Sequence, residues 1–366
     1  MNKKVIGAIA AVIVVIAIGF GLANQKKSDE SNNASVQYTG TITGAGATFA
    51  APLYGQLGSE YKDQTGTTIN YQSLGSGAGV AQFLENTVNF GATDVALKDE
   101  EVTQAQEKGT PLNIPVAFGA VTVSYNVPGV ETGLKLDGET IANIYLGKIS
   151  KWNDEAIVDL NPGVNLPDLQ ISPVYRSDES GTTAQFTEFL EAVSSEWADE
   201  IGSDKSVKWP TGTGSKGNDG VAATTSQTEG AIGYVELAYA LQNNFTTAAV
   251  KDAAGEFVSP SLESTSKAGD NLPDLPEDLR FSAINSPNAG AYPIASATFI
   301  IVYQDPCKAG AVSDPEQAKA LKGWFNYIFG AGQESMQKLE YAKLPPTLLQ
   351  KTQEKVDSMT CNGNAI

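Results

Sequence analysis

The sequence predicts an α/β fold in two lobes, and three observations predict it. Segments of strand and helix period alternate along most of the chain, which implies α/β layers around a mostly parallel sheet. Two nearly continuous apolar runs, residues 116–127 and 297–303, lie far apart in sequence. They read as strands buried on both faces and as candidate crossings between lobes. Four turns at strand ends carry polar groups beside glycine or at a helix start: Thr48, Ser76, Asp94 and the stretch 176–182. In such folds, ligands bind where strands end and helices begin.

In chain order, residues 36–42 alternate as a strand and run into a glycine-rich turn holding Thr48. Pro52 suits a first helical turn. Leu53, Leu57 and Tyr61 recur at helical spacing, and Gly66 ends that helix. Residues 67–72 form a β-branched, aromatic strand leading through Gly75-Ser76-Gly77 into a helix ending near Leu84. A strand at 88–94 ends in Asp94, and 99–108 is a polar helix. Asp137 caps a helix through Leu146, and 152–160 reads as another. Residues 169–174 are a short strand. Beyond it, Ser180 or Thr182 stands at the cap of a helix over 184–193, with Phe186, Phe189 and Leu190 inward. A long glycine-rich loop, 208–220, opens onto a helix from Val221, and 231–236 is a strand. Residues 245–288 read as short elements and loops. Helices follow over 315–329, with Leu321, Trp324, Phe325 and Ile328 inward, and over 333–341 and 346–356.

The stretch 176–182 carries the most chemistry. Backbone N–H groups at a helix start, capping hydroxyls and the planar fork of Arg176 together suit an oxyanion. Taken alone it reads first as a capped helix with a surface arginine, since capping residues are common at any helix start. The shared strand-end placement of four such turns favours the anion site.

Composition bounds the alternatives. The chain has 366 residues, 24 Lys+Arg against 42 Asp+Glu, and net charge −18. That balance argues against nucleic acid and anionic membrane surfaces as partners. There is no histidine, which removes Ser-His-Asp and Cys-His catalysis and His-ligated zinc. No cofactor or metal is expected. The two cysteines, Cys307 and Cys361, are candidates for a disulfide, but spacing does not give their geometry. Lys3 and Lys4 precede an uncharged apolar run over residues 5–23. Residues 1–23 are therefore a signal peptide or an N-terminal membrane anchor, and 24–39 a flexible linker. Either reading places the body outside the cytoplasm.

Several motifs carry a closer likeness: TGAGATF (43–49), NYQSLGSG (70–77), NFGATD (89–94), IYLGKISKWND (144–154), RSDESGT (176–182), VKWPTG (207–212), GSKGNDG (214–220) and GAIGYVE (230–236). Over roughly residues 40–344 the chain resembles the extracytoplasmic phosphate-binding proteins of phosphate-specific ABC transporters. The resemblance implies a type II periplasmic-binding-protein fold closing on one phosphate. Lobe I would be 40–116 with 292–366, and lobe II 117–291. It implies phosphate ligands Thr48, Phe49, Ser76, Asp94, Arg176, Ser180, Gly181 and Thr182, with Asp178 orienting Arg176. The implied partners are permease subunits with a cytoplasmic ATPase. The chain departs from the family pattern at Ala50, Glu179 and Ser76-Gly77-Ala78. Asp94 would accept the proton that phosphate carries and sulfate lacks. A surface-anchored sensor and a phosphohydrolase are the other readings; the second lacks a general base.

Overall fold

The structure, a computed structural model, describes residues 38–366 apart from 271, 273 and 274. The apolar run of 1–23 and most of the 24–39 linker lie outside the described residues. One nine-stranded sheet organises the rest. Its strands are β1 (Thr41–Gly46), β2 (Thr68–Ser73), β3 (Phe90–Thr93), β4 (Pro111–Tyr125), β5 (Ser172–Arg176), β6 (Thr213–Ser215), β7 (Ala231–Glu236), β8 (Thr246–Thr247) and β9 (Ala295–Tyr303). The order is β2-β1-β3-β9-β4-β7-β5-β6, and β8 pairs with β4.

β4 joins two halves of this sheet. Its residues 111–120 run antiparallel to β9, and 121–125 run antiparallel to β7. Every residue after Pro111 is buried, which the apolar run anticipates. The strand starts five residues before that run because Asn113 is paired: its Oδ1 accepts from the Leu97 N–H at 3.1 Å. The β9 register shifts beside Pro115, where a proline has no N–H to give. β9 stays beside the first part of β4 and does not follow it to β7.

Parallel pairing of β2-β1-β3 and of β7-β5-β6 sends the following helices from the same strand ends. Those near the site are α1 (Ala51–Thr65), α2 (Ser76–Leu84), α3 (Gly181–Val193), α4 (Gly217–Gln227) and α5 (Leu237–Gln242). A later helix, α6 (Pro315–Phe329), buries Leu321, Trp324, Phe325 and Ile328 as its periodicity predicts.

Some boundaries differ from the sequence reading, for local reasons. β1 lies later than 36–42 among the described residues, because glycines do not end it. A Cβ at Gly44 would run into the Phe90 ring of the neighbouring β3, so the glycine is what lets these strands pack. The helix expected from 152 begins at Glu155, capped by Asp154. Trp152 is instead buried in the loop, its indole N–H donating to the Gly230 carbonyl at 3.0 Å. α3 begins at Gly181, capped by Ser180 rather than Thr182. α4 starts four residues before Val221 because Asn218 is drawn inward and fully buried. Cys307 and Cys361 form a disulfide, tying the segment after β9 to the C-terminal end.

Candidate functional site

The site is assembled from the strand-end turns. After β1 the chain turns through Thr48, Phe49 and Ala50 into α1. No side chain caps that helix, so its leading amides depend on other restraints. The Thr48 hydroxyl is buried and accepts twice from Asn218 of α4, from the backbone N–H at 3.1 Å and from Nδ2 at 2.8 Å. Asn218 also reaches Thr182: Nδ2 donates to Thr182 Oγ1 at 3.1 Å, while its Oδ1 accepts from the Glu236 N–H at 2.9 Å. One buried amide side chain therefore connects a β1 turn on one half of the sheet to the start of α3 on the other.

Ser76 opens α2 behind Gly75, whose φ of 99° suits glycine. The Ser76 hydroxyl lies 3.3 Å from Asp94 Oδ2 and accepts from the Asp94 N–H at 3.2 Å. Asp94 Oδ1 accepts from Thr298 of β9 at 2.9 Å, and the Asp94 carbonyl accepts from Gln185 of α3 at 2.7 Å. The carboxyl is almost wholly buried. Burial raises its pKa to about 7, against the pull of the Thr298 hydroxyl, the Arg176 charge and Ser76.

Arg176 ends β5 and is 3% exposed. Its Nε donates to Asp178 Oδ1 at 2.8 Å and its Nη2 to Oδ2 at 2.5 Å, which sets the plane of the guanidinium. Nη1 faces Thr182 Oγ1 at 3.4 Å. Asp178 also accepts the Gly217 N–H at 3.0 Å. Burial works against ionising this carboxyl, but the bonds and charge of Arg176 outweigh it and hold its pKa below the usual value. Tyr234 accepts from the Arg176 N–H at 3.0 Å and stacks on Phe186, centroids 4.4 Å apart.

The two halves meet at Gly181. A Cβ there would stand 2.5 Å from Ser76 Oγ and 2.7 Å from Asp94 Oδ2. The first turn of α3 thus lies directly on Ser76 and Asp94, where only glycine fits. Next to it, the Gly77 N–H donates to the Glu179 carbonyl at 3.1 Å. Glu179 itself is exposed, and its side chain lies over Gly77 of α2 at the rim of the buried cluster. Two ion pairs border the same contact: Lys98 with Asp204 at 2.9 Å and Lys205 with Glu101 at 2.6 Å.

The residues singled out from sequence fall in one place. Ser76 bonds Asp94, Gly181 abuts both, and Thr182 adjoins Arg176 and, through Asn218, Thr48. Phe49 follows Thr48 in the turn, Ser180 caps α3, and Asp178 braces Arg176. Among the described residues no cluster of three or more His, Cys, Asp or Glu is placed to hold a metal. Sequence reasoning missed Asn218, Thr298, Tyr234 and Gln185. Asn218 had a signal, lying inside the GSKGNDG motif. Thr298 lies in an apolar strand, where a lone threonine attracts no notice.

Comparisons with known proteins show the family and the fold. The family described as "PBP superfamily domain" matches residues 31–331. The chain is 44% identical over 315 residues to "Phosphate-binding protein PstS" of Pasteurella multocida, covering 86% of this chain and 89% of that one. It is 41% identical over 333 residues to the protein of the same name from Xylella fastidiosa strain Temecula1, covering 90% and 89%. Among solved structures it is similar to a high affinity periplasmic phosphate-binding protein, PfluDING, bound with phosphate. There the TM-score is 0.68 at 22% identity, over 86% of this chain and 93% of that one.

Proposed function

The chain belongs to the phosphate-binding proteins of the PBP superfamily, and on that footing we propose that it captures one inorganic phosphate outside the cytoplasmic membrane and hands it to an ABC importer. Its fold is the two-lobed α/β fold of periplasmic phosphate-binding proteins. It acts by binding, not by turnover. The observation that carries the reading is the meeting of three helix starts, those of α1, α2 and α3, with the braced Arg176 and the carboxyl of Asp94. Backbone donors and a planar cation suit the anionic oxygens, and one carboxylate suits the remaining O–H.

In this reading Thr48, Phe49, Ser76, Arg176, Ser180, Gly181 and Thr182 donate to phosphate, Asp94 accepts from it, and Asp178 orients Arg176. The lobe boundaries are 40–116 with 292–366, and 117–291. The change of β4 partner between Ala120 and Val121 lies four residues beyond the first of these boundaries. The site is the face each lobe turns to the other, and closure brings Gly181 onto Ser76. An extracytoplasmic location fits the Cys307–Cys361 disulfide, since such bonds persist in oxidising compartments. The permease subunits would recognise the closed, loaded form, with the ATPase acting from the cytoplasmic side.

The test is calorimetric titration with phosphate in sulfate-containing buffer, using protein stripped of carried-over ligand by unfolding, dialysis and refolding. One-to-one binding in the micromolar range or tighter is expected. Absence of heat from demonstrably folded protein would refute the reading.

A further inference from the structure

Three consecutive carbonyls in the turn before α1 are each held by a different tyrosine. The Ala47 carbonyl accepts from Tyr71 at 2.8 Å, the Thr48 carbonyl from Tyr239 at 2.7 Å, and the Phe49 carbonyl from Tyr341 at 2.7 Å. The direction of these bonds is fixed, because a carbonyl can only accept. The peptide unit is planar and trans, so each N–H points opposite to the carbonyl of the same unit. Pinning the carbonyls of residues 47, 48 and 49 therefore aims the amides of Thr48, Phe49 and Ala50. These are the amides of the turn that leads into α1, and no side chain caps that helix.

We infer that Tyr71, Tyr239 and Tyr341 are positioning residues for the anion-binding amides of the Thr48–Ala50 turn, and that Tyr239 makes their aim depend on lobe closure. The inference rests on the phosphate-binding reading of the site. The three tyrosines come from separate parts of the chain. Tyr71 is on β2, beside the turn. Tyr341 lies in the segment between α6 and the C-terminus. Tyr239 is on α5, which follows β7 in the other half of the sheet. Its bond to Thr48 thus spans the two halves, as do the two bonds from Asn218 to the Thr48 hydroxyl. When the lobes part, Tyr71 and Tyr341 keep their carbonyls and Tyr239 does not. The Thr48 carbonyl, which shares a peptide unit with the Phe49 amide, is then left with only the longer bond from the Ala51 N–H at 3.2 Å, so the Phe49 amide is the one loosened.

Glu236 completes the device. Tyr341 has one proton and two oxygen neighbours, Phe49 O at 2.7 Å and Glu236 Oε2 at 3.1 Å. The carbonyl is the nearer acceptor of the tyrosine proton, and Glu236 Oε2 also accepts from the Ala238 N–H at 2.8 Å. That carboxyl is fully buried, and its Oε1 has no partner among the described residues. Burial pushes its pKa well above the usual carboxylate range. A neutral Glu236 keeps a second negative charge away from the back of an anion-binding turn.

The experiment compares Tyr71→Phe, Tyr239→Phe and Tyr341→Phe with wild type. Phenylalanine keeps each ring and removes only the hydroxyl, and thermal melting verifies that each variant folds. Phosphate titration and stopped-flow rates are read together with the amide 1H–15N shifts of residues 48–50. Each lost bond is expected to weaken phosphate binding about three- to tenfold. Tyr239→Phe should act through faster dissociation with little change in association. In phosphate-free protein Tyr71→Phe and Tyr341→Phe should shift the Thr48 and Ala50 amides respectively. Wild-type affinity in all three folded variants would overturn the inference. If wild type itself does not bind phosphate, the functional reading fails separately. The phosphate-free shifts then decide the positioning: moved amides uphold it and unmoved amides overturn it.

Discussion

Asp94 holds a carboxyl where burial opposes its charge, and that conflict makes it measurable. Its pKa of about 7 with the cleft shut means the closed protein binds a proton that the unfolded chain releases near pH 4. Folding stability therefore falls as pH rises through that window, by up to about 4 kcal/mol from this group, and levels off above it. The urea midpoint of phosphate-free protein should be higher at pH 5 than at pH 8, with a smaller difference in Asp94→Asn. The same substitution tests selectivity. Its amide can donate to sulfate, where the carboxylate opposes lone pairs with lone pairs. Competition titration should show the preference for phosphate over sulfate narrowing by about ten- to a hundredfold; an unchanged preference removes Asp94 from the discrimination. A third residue, Asp178, orients without touching ligand in this scheme. Asp178→Ala leaves Arg176 buried without its brace and should weaken phosphate binding about tenfold or more by titration.

At the level of elements, two glycines separate affinity from stability. Gly79 lies within α2, and a Cβ there would stand 2.5 Å from the Gly46 Cα and 2.6 Å from the Ala92 carbonyl. Those are backbone atoms of the same half of the sheet and cannot yield, so Gly79→Ala should lower folding stability by about 1–3 kcal/mol in urea titration. Gly181 meets Ser76 and Asp94 across the cleft, where the lobes can part. Gly181→Ala should leave the urea midpoint nearly unchanged and cost phosphate affinity about tenfold or more by calorimetry. The elements carrying the site were legible in the sequence because each ends a strand and opens a helix with its own local signature: Pro52 in α1, the glycines on either side of Ser76, the Ser180 cap of α3. What escaped were partners that pair over long sequence separations. Asn218 meets Thr48 across 170 positions and Thr298 meets Asp94 across 204. Tyr71, Tyr239 and Tyr341 escaped for another reason. A tyrosine in an apolar segment reads as core, and its hydroxyl partner is a carbonyl that sequence does not mark.

For the molecule as a whole, the alternation of strands and helices and the two long apolar runs anticipated an α/β fold in two lobes, but not that one continuous sheet runs through both. The route back was misplaced: β9 was read as a second crossing, but both of its neighbours, β3 and β4 before Val121, lie in the first half. The Cys307–Cys361 bond closes a loop of 54 residues. On chain-entropy grounds it stabilises the fold by about 4 kcal/mol. Reduction, or paired replacement by serine, should therefore lower the melting temperature measurably; no change would mean the reduced chain keeps that segment ordered by packing alone.

The ion pairs beside Gly181 bear on how long the cleft stays shut. Lys98 and Asp204 are each 44% exposed along their side chains, while Lys205 and Glu101 are 8% and 16% exposed. Dissolved salt screens attractions of this kind over about 10 Å at 0.1 M, and screens exposed pairs more than recessed ones. The bonds deeper in the cleft are sheltered from it. Residence time should therefore shorten in brine while the order of preference among anions holds, so that the salinity of its surroundings sets how readily the carrier lets go, and the depth of the cleft sets what it carries.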